Sequence, residues 1–291
     1  KTSTGVTSTG TSTLSADEAP IYLAIIWHQH QPVYYKDPAS GVYAKPWVRV
    51  HATKDYVDMA AMLKQYPDIH VTFNITPSLI RQLDDLEAGA KDMYWVLAEV
   101  PADQLSSEQQ IYILERFFDT NRKIIARFPR YQELLEMRDG GEAYTSQDYL
   151  DLQVLFNLAW VDPDWLAQEP LADLVAKGSG FSEADKATLF AEHLRLIKEV
   201  IPVHKELQDA GQIEVTMTPY AHPILPLLVS TDLAKEALPS IELPAKKFTY
   251  GQDATAHLEL GVQLYAEHFG MPPRGMWPAE GSVAQEVVGM I

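Results

Sequence analysis

The sequence contains no cysteine in 291 residues. That excludes a disulfide framework and every thiolate-based zinc site. The absence is compatible with an oxidising or a hot environment and proves neither. Nor is there a run of about 18 apolar residues, so no segment reads as a transmembrane helix. No secretory leader is visible, and the chain opens at Lys1 without Met, as it would after removal of one. Positive charge is also scarce: 23 Lys and Arg stand against 40 Asp and Glu, a formal net charge of -17. Such a chain repels phosphate backbones and anionic membranes, so neither nucleic acid nor a membrane is expected as a partner. A neutral ligand meets no such penalty.

Apolar and aromatic residues are plentiful. Hydrophobic residues make up 46% of the chain, with 14 Tyr and 6 Trp. That suffices to bury one large α/β domain or two smaller ones. The aromatics serve equally as core and as platforms for a flat ligand such as a sugar ring, and composition alone favours core.

Residues 1–20 are Ser-, Thr- and Gly-rich with almost nothing to bury. They read as a flexible linker or tail, of the kind that tethers modules of secreted proteins, or as a plain disordered terminus. The expected location is therefore secreted or extracellular, and the expected folded domain is 21–291. From Ile21 the pattern changes. Ile21 to Trp27, His70 to Thr76, Val154 to Trp160 and Ile213 to Thr218 are apolar runs of strand length, and Arg274 to Glu280 is a shorter fifth. Continuous rather than alternating runs suit buried parallel strands, although Val154 to Trp160 could equally be helical.

Helical spacing fills the intervals: Tyr56 to Tyr66, Ser106 to Phe128, Ser182 to Leu207 and Asp253 to Gly270. Ser106 and Ser182 read as N-caps, Gly270 as a C-cap, and Pro202 is expected to kink or end its helix. Strands alternating with helices imply a parallel sheet with right-handed crossovers. Unequal intervals and a long helical stretch from Tyr94 to Asp151 predict a barrel with a helical insertion rather than a compact doubly wound sheet.

Sites in parallel α/β folds lie just beyond the carboxyl ends of the strands. The first expected strand is followed by His28, Gln29, His30, Gln31 and Pro32. The second holds Asn74, Thr76 and Ser78, the third ends at Trp160 before Asp162, the fourth leads to Tyr220 and His222, and the fifth carries Trp277 and Glu280. On these strand ends the side chains share one rim. His28 and His30 alternate, as two residues on one face of an extended segment do. They suit hydrogen bonds to substrate, ligation of a metal given a third ligand, or a purely structural role. Glu280 ends an apolar segment with a helix expected from Ser282 to Val288. Backbone amides at that helix start would keep a nucleophilic carboxylate ionised, although a surface acid at a helix start reads the same way.

Several segments together resemble glycoside hydrolase family 57, most closely its amylopullulanase and α-amylase branch. They are WHQHQP (Trp27 to Pro32), PWVRVHATKDY (Pro46 to Tyr56), FNITPSL (Phe73 to Leu79), FNLAWVDP (Phe156 to Pro163), GQIEVTMTPYAHPILPLL (Gly211 to Leu228) and GMWPAEGSV (Gly275 to Val283). The resemblance implies an incomplete (β/α)7 pseudo-TIM barrel and retaining cleavage of α-1,4 glucosidic bonds, with α-1,6 bonds left open. It implies that His30, Gln31 and Pro32 line the sugar subsite with His222 and Pro223, that Glu280 is the nucleophile, and that Trp277 is its aromatic neighbour. Trp27, Trp160 and Trp277 become candidates to stack on sugar rings. His28, Asn74 and Tyr220 complete the substrate-binding set. The family's acid/base Asp lies downstream of the nucleophile. The expectation is thus an N-terminal part of the catalytic barrel, truncated before it closes, whose partners are an α-glucan and the remainder of the domain. No cofactor or resident metal is expected, and calcium is left open. Related expectations are a 4-α-glucanotransferase or branching enzyme, a metal-dependent polysaccharide deacetylase using His28 and His30, and a non-catalytic glucan-binding module.

Overall fold

The structure, a computed structural model, describes residues 21–291. The expected linker at 1–20 lies outside the described residues. The chain is a mixed α/β fold built on a parallel three-stranded sheet. Strands β1 (Ile26–Gln29), β2 (Val71–Ile75) and β3 (Ile213–Met217) lie in the order β1-β2-β3. The pairing places Trp27 beside Phe73 and Phe73 beside Val215, and one step on, His28 beside Asn74 and Asn74 beside Thr216. Because successive side chains point to opposite faces, these two rows separate.

The Trp27, Phe73, Val215 row faces helices. Phe73 is fully buried, with Trp27 edge-on at 5.0 Å and the ring of His204 at 4.6 Å. His204 lies on the 27-residue helix Glu183–Asp209, which packs on β3 and on the helix Pro77–Glu87. Burying Phe73 and Ile75 contributes about 1.5–3 kcal/mol each relative to exposure. The His28, Asn74, Thr216 row points the other way and is polar. The sheet's orientation thus sorts core from site.

Several sequence-based expectations are corrected. Val154 to Trp160 is not a strand: it lies in and just after the helix Ser146–Ala159, opened by a reciprocal cap between Thr145 and Asp148 and buried nearly throughout. An apolar run buried on all sides carries no period, so strand and buried helix read alike. The motif residue Asn157 on this helix accepts from Arg49, whose guanidinium is buried and also pairs with Asp92 at 2.5 Å. That network ties the helical insertion to the segment after β1.

Arg274 to Glu280 is not a strand either. It touches the sheet edge through one parallel bridge, Met217 to Met276, and Trp277 N–H donates to Met217 C=O at 2.7 Å. Pro278 stops the pairing, since it has no N–H to offer. Gly275 permits the approach: a Cβ there would sit 3.1 Å from Thr216 Cγ2. β1 begins five residues later than expected, and Ile21, Tyr22 and Leu23 are exposed.

The helical expectations fare better. Glu183–Asp209 and Gly251–Phe269 form, the former running through Pro202 without ending, the latter closed by left-handed Gly270. Tyr56 to Tyr66 divides into the π-turn Ala52–Tyr56, the α-helix Val57–Ala61 and the 3-10 turn Met62–Gln65. Ser106 to Phe128 breaks after Ser107–Arg116 and resumes briefly at Arg122–Ile125. The stretch from Tyr94 to Asp151 is helical as expected. Among the described residues, no helix is long and apolar enough to cross a membrane.

Candidate active site

β1, β2 and β3 deliver polar groups to one rim at their carboxyl ends. The imidazoles of His28, His30 and His222 cluster there. Ring centroids are 4.2 Å apart for His30 and His222, 5.0 Å for His28 and His222, and 5.5 Å for His28 and His30. Trp277 stands 6.4 Å from His28 and is part-exposed. Glu280 Oε1 lies 3.7 Å from His222 Nδ1. Two early histidines, one from the segment after β3 and the carboxylate after the edge bridge therefore meet on one rim.

A hydrogen-bonded row crosses the sheet beneath them. His28 Nδ1 pairs with Asn74 Oδ1 at 2.6 Å, and Asn74 Nδ2 donates to Thr216 Oγ1 at 3.0 Å. Asn74 is 0% exposed, so its carboxamide is spent on orienting His28 rather than on a ligand. Thr216 was missed by sequence reasoning. Its signal is the period of two along β3, which puts it on the face of Asn74.

Electrostatics disfavour the charged forms of His30 and His222. His30 is lowered to about 4, first by burial, then by the neighbouring imidazoles of His222 and His28, with Glu280 opposing. His222 is lowered for the same leading reason, burial, with His28 adding to it and Glu280 again opposing. Two cations this close would repel, and neither is well hydrated. Neutral imidazoles can both donate to and accept from hydroxyl groups.

Backbone conformation marks the same place. His222 and Glu280 are the described non-glycine residues with positive φ, at 57° and 56°. A side chain in this region costs about 1–3 kcal/mol, and such residues gather at functional sites. The helix expected at Ser282 to Val288 is reduced to Gln285–Val288, and Glu280 sits instead in the 3-10 turn Ala279–Gly281. The expected helix-start amides therefore do not hold its carboxylate. Its side chain is 67% exposed, so it stands at the lip of the rim and not at its floor.

Other expected site residues are placed elsewhere. Trp27 packs on Phe73 on the helix-covered face. Gln31 is buried, its carboxamide shared between the hydroxyls of Tyr56 and Tyr34. Trp160 ends its helix against Trp47 and His51, at 6.0 and 5.5 Å. Tyr220 pairs its backbone with Ser78 and His257, its ring 6.5 Å from His257. A second group missed in the sequence is Asp58, Asp162 and Asp164, whose carboxylates approach within 4.8 Å. Asp58 is raised to about 6 by burial and by the charges of Asp162 and Asp164.

The model of the family described as "Glycosyl hydrolase family 57" matches residues 24–291, and the chain belongs to that family. No curated protein matches the sequence. Solved structures similar to it include an α-amylase from Thermotoga maritima, at 18% identity and TM-score 0.45, covering 92% of this chain and 37% of that one. A branching enzyme of the same family from Thermococcus kodakaraensis matches at 18% identity and TM-score 0.40, covering 89% and 33%. Another from Pyrococcus horikoshii matches at 15% and 0.41, covering 89% and 34%. The chain thus spans about a third of the length of these proteins.

Proposed function

We propose that this chain carries the nucleophile side of a retaining site for α-glucans, with Glu280 as the nucleophile. The observation that carries the reading is the meeting of Glu280 with three imidazoles and Trp277 on one rim. Family membership supports the glycosidic class of reaction. In this reading the sheet β1-β2-β3 is one wall of a (β/α)7 barrel. Glu280 attacks the anomeric carbon and the sugar is carried briefly as a glycosyl-enzyme. The developing oxocarbenium ion is cationic, so the carboxylate also stabilises it. His30 and His222 hydrogen-bond hydroxyls of the sugar being cleaved, and Trp277 walls the ring. Contacts that tighten in the transition state raise the rate.

Retention needs a second carboxyl group about 5–5.5 Å from the first. The rim assembled from the described residues holds one carboxylate, Glu280, and the acid/base group comes from elsewhere in the catalytic domain. Whether water or a second sugar accepts the glycosyl group distinguishes an amylase or amylopullulanase type from a transferase. Reducing ends released from starch, compared with loss of iodine staining, separate these outcomes. Glu280→Gln in an enzyme that holds the whole catalytic domain tests the reading: turnover is expected to vanish while glucan binding persists. Near-normal turnover removes Glu280 from its role.

A further inference from the structure

The rim offers a donor set unlike that of an ordinary sugar subsite. His28, His30 and His222 each present one ring nitrogen, and these atoms lie within 4.8 Å of one another. His28 commits Nδ1 to Asn74 Oδ1, which leaves Nε2 without an assigned partner. Histidines that bind metal commonly use their second nitrogen in this manner, because the outer hydrogen bond fixes ring and tautomer. Asn74 is in turn held by Thr216, so the support runs two residues deep. The side chain of His222 is 5% exposed and its Nε2 is buried with no hydrogen-bond partner. A buried nitrogen without a partner is destabilising, and a ligand would recover that loss.

We propose that His28, His30 and His222 form a three-imidazole site for a borderline divalent transition metal such as Zn2+, and that the bound ion excludes glucan from the rim. Imidazole donors select zinc, copper or nickel over calcium and magnesium, which take oxygen. Zinc–nitrogen bonds of about 2.0–2.1 Å set neighbouring ligand nitrogens roughly 3.3 Å apart. The rings must therefore close by up to about 1.5 Å, and the near-parallel pair His30 and His222, at 22°, must open. His30 is only half-buried. Water or Glu280 takes the fourth position. The exclusion of glucan rests on the function proposed above, whereas the metal site does not.

The test is calorimetric titration of Zn2+ into chelator-stripped protein without glucan. One ion per chain with micromolar or tighter affinity is expected, weakened at least 10–100-fold in His30→Gln and in His222→Gln. No binding to the wild type, or wild-type affinity in both variants, overturns the site. X-ray absorption of the zinc-loaded wild type needs no variant: three imidazole shells are expected, and a purely oxygen shell overturns it. Maltooligosaccharide is expected to weaken zinc binding. Unchanged zinc affinity in its saturating presence overturns the exclusion. A maltooligosaccharide that fails to bind even the metal-free protein defeats the glucan reading instead, with the metal titration still deciding the site.

Discussion

Replacing Asn74 with alanine removes the one side chain that joins all three strands across the site face. Its carboxamide takes 2.6 Å and 3.0 Å hydrogen bonds to His28 and Thr216 at a fully buried position. Each such bond is worth about 1 kcal/mol net. The groups left behind are not wholly stranded: Thr216 Oγ1 retains a long bond to Phe73 C=O at 3.4 Å, and the exposed His28 can turn to water. The two lost bonds and the small void together cost about 2–3 kcal/mol, well short of the value for two orphaned polar groups. For a chain of this length that is roughly 3–5 °C in melting temperature. Thermal unfolding followed by circular dichroism measures it, and glucan affinity measured alongside is expected to fall because the His28 ring is no longer fixed. A melting temperature within about 1 °C of wild type, with unchanged affinity, would refute the claim that this row holds the rim.

Two pH-dependent outcomes follow from the displaced ionisations. His30 sits at about 4 in the folded protein against 6.5 ordinarily, so the folded state binds fewer protons there than the unfolded chain. Its contribution is present above pH 6.5 and lost as the pH falls through about 4, and His30→Gln is expected to flatten the acid limb of melting temperature against pH in that window. Equal slopes in both proteins would contradict this. Asp58 is displaced the other way, from 3.8 to about 6, so its contribution is present below 3.8 and lost as the pH rises through 6. Asp58→Asn is therefore expected to raise the melting temperature under alkaline conditions and not in acid, which a thermal melt in each buffer checks.

The parts legible in the sequence were those where local chemistry and tertiary placement agree. The runs around Trp27, Phe73 and Val215 are strands because β-branched and aromatic residues there pack against helices. Histidines at His28 and His30 followed by Gln31 and Pro32 mark a strand end, and the structure brings them to His222 and Glu280. Legibility failed where burial erased the period. Val154 to Trp160 lies in a region buried on every side, and only the Thr145 cap upstream distinguishes helix from strand. It also failed where two side chains spend their polar groups on each other. Gln31 is saturated by Tyr34 and Tyr56, and Asn74 by His28 and Thr216, and no spacing in the chain announces those partners. The left-handed backbone of His222 and Glu280 is likewise not announced by the sequence: positive φ is uncommon outside glycine, and although histidine tolerates it better than most residues, glutamate does not.

Retaining cleavage at this rim requires a covalent bond to form at one carboxylate. Incubating the purified protein with a slow-turnover fluorinated α-glucosyl fluoride, then digesting it and mapping the mass adduct, tests that bond directly. The glycosyl group is expected on the peptide containing Glu280, and not in Glu280→Gln. An adduct on another residue, or glucan turnover with no trapped intermediate at this position, would contradict it.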